Sequence, residues 1–174
     1  MKKSTLVYPS LQALLKKPIH FLAFGLGSGL IRPAPGTWGS LLGALLLLPF
    51  LSQIFDKTLF NLLFIAATFA LGCHFCGKTS KDLGVHDHSG IVWDEFVGQW
   101  AVMLFAPPFL YAHFGFIAVS IASLLAFRLF DIWKPQPIGW LDRNTAGGFG
   151  IMIDDLLAAL YALLLLWSSY FFYA

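Results

Sequence analysis

Five stretches of this chain, at 38–55, 58–76, 91–107, 109–130 and 150–172, are each 17 to 23 residues long, and their only charges are Asp94, Glu95, Arg128, Asp154 and Asp155. A helix that crosses the hydrocarbon core needs about 17–25 mostly apolar residues. Lipid offers no partner for a backbone N–H or C=O, so a spanning segment must close its own hydrogen bonds, as a helix does. The expected fold class is all-α, a polytopic membrane helix bundle of about five long apolar helices. Asp56-Lys57 reads as a tight turn between the first two stretches, and Pro107-Pro108 separates the third from the fourth. A further apolar piece at 21–31, rich in glycine (Gly25, Gly27, Gly29), is too short to cross and is expected to be interfacial or re-entrant. The chain reads as one membrane-embedded domain, 1–174, with 1–18 as an N-terminal cytoplasmic or interfacial extension.

The balance of residues agrees. Charged residues make up 11% and hydrophobic ones 58%, where a soluble domain carries about 25% charged residues. The formal charge of +2, with no basic block or zinc-finger spacing, gives no support to a nucleic-acid partner. Pro9 and Lys16-Lys17 interrupt the N-terminal region and no small-residue cleavage site follows, so no secretory signal is expected to be removed. Cys73 and Cys76 form a single C-x-x-C inside an apolar run and read as core thiols.

The acids are not scattered. Eight of the nine lie between Asp82 and Asp155, Asp56 being the exception, and two adjacent pairs, Asp94-Glu95 and Asp154-Asp155, fall within apolar stretches. A carboxylate at the centre of a membrane helix costs roughly 2.5–3.5 kcal/mol on insertion scales, so four of them call for a compensating partner. A hard divalent cation such as Mg²⁺ is the simplest one, because it takes oxygen ligands. Orientation follows from the basic residues. If 21–31 does not cross, Lys2, Lys3, Lys16, Lys17, Arg32, Lys78, Lys81, Arg128, Lys134 and Arg143 share one side and Lys57 alone takes the other. If it does cross, the split is five against six. The positive-inside rule favours the first arrangement and puts the acid clusters together at the cytoplasmic face.

Four motifs carry the candidate chemistry. PAPGTWGS at 33–40 is a proline- and glycine-rich loop that feeds a helix, where backbone N–H groups and the helix dipole suit an anion. Thr37 and Ser40 add hydroxyls there, and Ser40 can cap the following helix. GVHDHSGIVWDEFVG at 84–98 runs a polar loop into a helix bearing two acids. Neighbouring helical residues point about 100° apart, so only one of Asp94 and Glu95 is expected to aim squarely at a shared centre. His86 and His88 are candidate proton donors or merely interfacial. FRLFDIWKPQPIGWLDRN at 127–144 spaces Arg128, Asp131 and Lys134 three apart, suited either to an ion network or to gripping phosphate. Pro135 is expected to end that helix. GGFGIMIDDLLA at 147–158 repeats the glycine loop entering an acid-bearing helix, and Gly98, Ala158 and Ala159 provide small surfaces for close packing. Acids, an arginine and a lysine around small-residue loops suggest phosphate chemistry with Mg²⁺.

At these four stretches, in this order, the chain resembles the phosphatidylglycerophosphatase A family, bacterial Mg²⁺-dependent membrane lipid phosphatases. The resemblance reaches from about residue 20 to 160. It implies hydrolysis of phosphatidylglycerol phosphate to phosphatidylglycerol and inorganic phosphate at the cytoplasmic face of the inner membrane, with a membrane phospholipid as the partner molecule. The expected metal ligands are Asp94, Asp131 and Asp154, with Glu95 and Asp155 beside them. Thr37, Ser40, Arg128, Lys134 and Arg143 are the expected phosphate binders. Asp87 or a nearby histidine is expected to activate water or protonate the leaving oxygen. The competing readings are a divalent-cation transporter, which needs polar groups at several depths, and a non-catalytic subunit that binds anionic lipid.

Overall fold

The structure, a computed structural model, describes residues 8–173; Lys2 and Lys3 lie outside that range. Its helices in chain order are α1 Leu11–Leu15, α2 Pro18–Ala23, a 3₁₀ segment Gly25–Leu30, α3 Pro35–Ile54, α4 Thr58–Leu83, α5 Trp93–Phe105, α6 Pro108–Trp133, α7 Ile138–Asn144, α8 Gly147–Ser168 and α9 Tyr170–Tyr173. Among the described residues there is no strand. Four helices, α3, α4, α6 and α8, are long and apolar enough to cross a membrane.

The stretch at 91–107 is not a fifth helix of spanning length. Its helix, α5, has 13 residues, which rise about 20 Å against a hydrocarbon core of about 30 Å. Both ends have a local cause. Val92 N–H donates to Ala23 O at 2.9 Å, which keeps the start of the stretch out of the helix. Ala106 takes an extended conformation (ψ 149°), as the residue before a proline prefers, and this stops the helix short of Pro107. Ten of the 13 residues are buried. This short helix is therefore the axis of the bundle, enclosed by α3, α4, α6 and α8.

Close backbone approach makes that enclosure possible. A Cβ at Gly98 of α5 would stand 2.6 Å from the Phe127 ring of α6 and 3.3 Å from Asp155 O of α8. A Cβ at Gly148 would stand 1.8 Å from Cys73 O, so α4 and α8 cross there with bare backbone between them. Indole donors fix the heights, Trp100 to Gly43 O at 2.8 Å and Trp93 to Thr68 O at 3.1 Å. Cys76 is buried with its Sγ 3.9 Å from Met152 Sδ, the packing of a core thiol, while Cys73 is half-buried.

The bundle has two chemically distinct ends. At one, Asn61 donates to Ile54 O at 2.9 Å, Trp167 donates to Phe105 O at 3.0 Å and the Phe109 and Tyr170 rings meet. At the other lie the starts of α3, α5 and α8 and the ends of α4 and α6. The 21–31 piece stays there too. It breaks into α2 and the 3₁₀ segment, with Leu26 and Gly27 at positive φ. His20 of α2 meets Asp82 near the end of α4 at 2.8 Å. Helix α4 continues beyond residue 76 to Leu83, carrying Lys78, Lys81 and Asp82 past its apolar part. Helix α8 starts three residues before the expected 150 and ends at Ser168.

Candidate active site

A cavity of about 240 Å³ opens at the polar end, where four segments that are remote in sequence converge. The first turn of α5 supplies Asp94 and Glu95, the last turns of α6 supply Arg128 and Asp131, and α8 supplies Asp154 and Asp155. Lys134 follows α6, Asp87, Ser89 and Ile91 come from the loop before α5, and Ala34, Pro35 and Gly36 come from the start of α3. Pro35 occupies the first helical position, where its missing N–H and fixed φ do no harm. Helix α6 ends at Trp133 with Lys134 in a left-handed conformation (φ 45°), the stop that Pro135 implies.

Asp94, Glu95 and Asp155 each offer a carboxylate oxygen, and these oxygens lie within 4.8 Å of one another. Asp94 Oδ1, Glu95 Oε2 and Asp155 Oδ2 are buried and have no hydrogen-bond partner. The expectation that only one of Asp94 and Glu95 reaches the shared centre is therefore corrected. Their Cα–Cβ directions diverge, but the extra methylene of glutamate lets Glu95 reach back. Asp131 and Asp154 meet cations, although Asp154 Oδ1 is also buried without a hydrogen-bond partner. Asp131 is ion-paired with Arg128 Nη1, which lies 3.6 Å from Glu95 Oε1 as well. These are ion pairs rather than aligned hydrogen bonds, and Arg128 Nε is buried without a partner. Lys134 Nζ donates to Asp154 Oδ2 and to Asp142 Oδ1, each at 2.7 Å. Burial opposes its charge, but the two carboxylates outweigh burial and hold its pKa above the usual lysine range.

Asp87 stands at the cavity mouth with solvent-exposed surface but crowded by protein atoms. That crowding raises its carboxyl pKa, with Lys134 pulling in the opposite direction. The histidines flanking it do not line the cavity. His86 Nε2 accepts from Gly147 N–H at 3.1 Å, and buried His88 accepts at Nδ1 from Gly90 N–H at 3.0 Å, so both brace loops.

Three expected phosphate binders sit elsewhere. Thr37 is half-buried beside Gly36 but does not line the cavity. Ser40 is fully buried inside α3 and donates to Gly36 O at 2.9 Å, so it does not cap the helix. Arg143 is exposed on α7. Two residues were not among the site residues expected from sequence. Asp142 shares Lys134, and Gly36 lets the backbone of α3 press on the acids, since a Cβ there would fall 2.2 Å from Glu95 Oε1 and 2.9 Å from Arg128 Nη1. A glycine directly after a helix-starting proline was the available signal for the second.

The family model for phosphatidylglycerophosphatase A matches residues 21–169, which include every cavity-lining residue. The chain belongs to the phosphatidylglycerophosphatase A family. A Haemophilus influenzae phosphatidylglycerophosphatase A is 49% identical over 154 residues, covering 88% of this chain and 90% of the relative. The Escherichia coli phosphatidylglycerophosphatase A is 42% identical over 146 residues, covering 83% and 78%. A Bacteroides thetaiotaomicron relative, provisionally named a phosphatidylinositol-3-phosphatase, is 36% identical over 148 residues, covering 82% and 87%. No solved structure matches the chain. Three buried carboxylate oxygens without partners, drawn from two helices to one point, form a donor set that suits a hard cation.

Proposed function

We propose that this membrane protein hydrolyses the terminal phosphomonoester of phosphatidylglycerol phosphate, releasing phosphatidylglycerol and inorganic phosphate with the help of Mg²⁺. The observation that carries the reading is the cavity itself. It sets six carboxylates beside two cations at the interfacial end of a bundle whose named relatives include phosphatidylglycerophosphatases A.

Asp94, Glu95 and Asp155 would hold the cation, and Asp131 and Asp154 would keep Arg128 and Lys134 in place. When bound, Mg²⁺ supplies Lewis-acid polarisation of a phosphoryl oxygen and charge neutralisation. Arg128, whose Nε has no partner in the protein, offers donors to the phosphoryl oxygens, and Lys134 adds a second positive charge. The start of α3 turns the positive end of its dipole towards the same space. Water attacks phosphorus in line with the glycerol oxygen, the P–O bond to glycerol breaks, and the departing oxygen gains a proton. Asp87 at the mouth is the group placed to take the proton of the attacking water, or to return one to the leaving oxygen. Its raised pKa brings it closer to working pH than an ordinary aspartate.

The membrane in this reading is the bacterial inner membrane, with the cavity on its cytoplasmic side. The described basic residues support that orientation. Lys57 sits in the turn between α3 and α4 at the far end, whereas Lys78, Lys81, Arg128 and Lys134 sit at the cavity end.

The test is phosphate release from phosphatidylglycerol phosphate in mixed micelles with and without Mg²⁺, comparing purified parent with D94N and D155N. The expected loss is at least about 100-fold, the scale of removing one preorganised electrostatic group from an active site. Near-normal turnover of folded D94N or D155N with unchanged Mg²⁺ dependence defeats the reading.

A further inference from the structure

A second hollow, apolar and about 550 Å³, lies on the outside of the bundle next to the cavity. Its walls include Leu26 and Gly27 of the 3₁₀ segment and Trp38, Leu41, Leu42 and Leu45 of α3. It shares the first turn of α3 with the cavity, since Gly36 lines one and Trp38 the other. From Trp38 to Leu45 it follows α3 for about 10 Å at 1.5 Å per residue, away from the polar end. Trp38 is partly exposed at its head, with its indole N–H on Pro33 O at 3.1 Å, the amphipathic placement favoured at a membrane interface. The other apolar hollows, near Phe50 and Phe60 and near Phe114 and Leu165, open further from the acids.

Along the chain, Arg32 lies between Ile31 of the groove wall and Ala34 of the cavity wall. Its guanidinium lies 3.7 Å over the Tyr8 ring, and the Tyr8 hydroxyl is 2.7 Å from Ser89 Oγ, a residue of the cavity wall. Arg32 is exposed, and no carboxylate pairs with it among the described residues. We infer that this apolar groove receives an acyl chain of the lipid substrate, and that Arg32 binds the phosphodiester linking the diacylglycerol to the headgroup. The inference rests on the proposed substrate, which carries two phosphates separated by a glycerol. The terminal one belongs in the cavity. The inner one then faces Arg32, and the chains continue past Trp38 along α3. This order of monoester, diester and acyl chain matches the order of cavity, Arg32 and groove on the protein.

The experiment uses the full chain in mixed micelles with dioleoyl and dihexanoyl phosphatidylglycerol phosphate. Leu45→Trp fills the groove and is expected to lower the ratio of kcat/KM for dioleoyl over dihexanoyl substrate by about tenfold, as a misfit in an apolar pocket does. Leu125→Trp, on the exposed face of α6, is expected to leave the ratio unchanged. Arg32→Gln is expected to raise KM for both substrates by about tenfold, the size of one charge-assisted contact, with the loss in KM rather than kcat. An unchanged ratio in Leu45→Trp, or an Arg32→Gln defect confined to kcat, overturns the inference. Photolabelling with a substrate carrying a diazirine on its acyl chain separates this outcome from failure of the substrate reading. Labelling within 26–45 that unlabelled substrate displaces supports the groove even if the parent releases no phosphate. Labelling spread evenly over the lipid-facing helices refutes it.

Discussion

Replacing Gly36 with alanine tests whether the cavity works through geometry rather than through charge alone. The new Cβ would fall 2.2 Å from Glu95 Oε1 and 2.9 Å from Arg128 Nη1, where ordinary contact begins near 3.4 Å. Glu95 must retreat by about 1 Å, which takes its carboxylate out of the cluster it forms with Asp94 and Asp155. A displacement of that size typically costs about 100-fold in rate, or about 2.7 kcal/mol in the barrier. The helix itself does not object, because alanine is favoured over glycine by up to about 1 kcal/mol in a helix. Crowding acts the other way by about 1–3 kcal/mol, so net stability is expected to change by no more than about 2 kcal/mol. The assay is phosphate release at saturating Mg²⁺, with helical content and chromatographic homogeneity checked in parallel. Adding Glu95→Asp withdraws the carboxylate by one methylene, so it is expected to harm Gly36→Ala less than it harms the parent. That coupling between neighbours is the signature of contact. Folded Gly36→Ala with parental turnover, or two losses that simply multiply, refutes the geometric argument.

Lys134→Met removes the cation that Asp154 and Asp142 share and leaves buried Asp154 unpaired. The expected destabilisation is about 2–4 kcal/mol, below the top of the range for a broken buried pair because the lysine is 29% exposed; a change under about 1 kcal/mol in denaturant titration contradicts it. Asp87 has a folded-state pKa above its unfolded value, so its contribution to stability is lost as pH rises from about 4 through the raised value. Asp87→Asn is therefore expected to be more stable than the parent at neutral pH, and to lose the acidic limb of the kcat/KM profile if Asp87 is the base. A variant less stable at neutral pH contradicts the sign. Mg²⁺ at 100 times its dissociation constant is expected to raise parental stability by about 2.7 kcal/mol, an increment that a chelator removes and Asp155→Asn lacks. Equal stabilisation of parent and variant denies Asp155 a place at the metal.

The elements most legible in the sequence are those set by composition and by proline. Long apolar runs gave the spans, Pro107-Pro108 and Pro135 gave the breaks, and the acid-bearing motifs meet at one end as the basic residues required. What was hidden depended on reach and enclosure. Hydropathy does not distinguish a helix wrapped in protein from one wrapped in lipid, so 91–107 looked like a span although α5 is too short and lies at the centre of the bundle. Angular spacing describes where Cβ points and ignores side-chain length, so Glu95 was separated from Asp94. Ser40 looked like a cap because 33–40 read as a loop ahead of the helix. Pro35 starts it earlier, which turns the hydroxyl inward to Gly36 O. Arg143 had the right charge in the right motif but is exposed on α7 and does not line the cavity, whereas its neighbour Asp142 reaches Lys134.

The charge arrangement also constrains the order of binding. Arg128 is engaged by Asp131 and Glu95, and Lys134 by Asp154 and Asp142, which leaves Asp94 and Asp155 without a cation of their own. If all ionised, the six cavity carboxylates would set a surplus of four negative charges against two cations in a space of about 240 Å³. A phosphomonoester carrying nearly two negative charges at neutral pH has no reason to enter such a space, and Coulomb repulsion at low effective dielectric would keep it out. A divalent cation held by Asp94, Glu95 and Asp155 would halve that surplus and add positive charge to the wall that Arg128 also lines. Affinity for phosphate should therefore depend steeply on Mg²⁺, and by linkage phosphate should tighten Mg²⁺ binding by the same factor. On the proposed reading, the acids that make the bare cavity unfavourable within the bundle would be the ones that make substrate entry conditional on the metal.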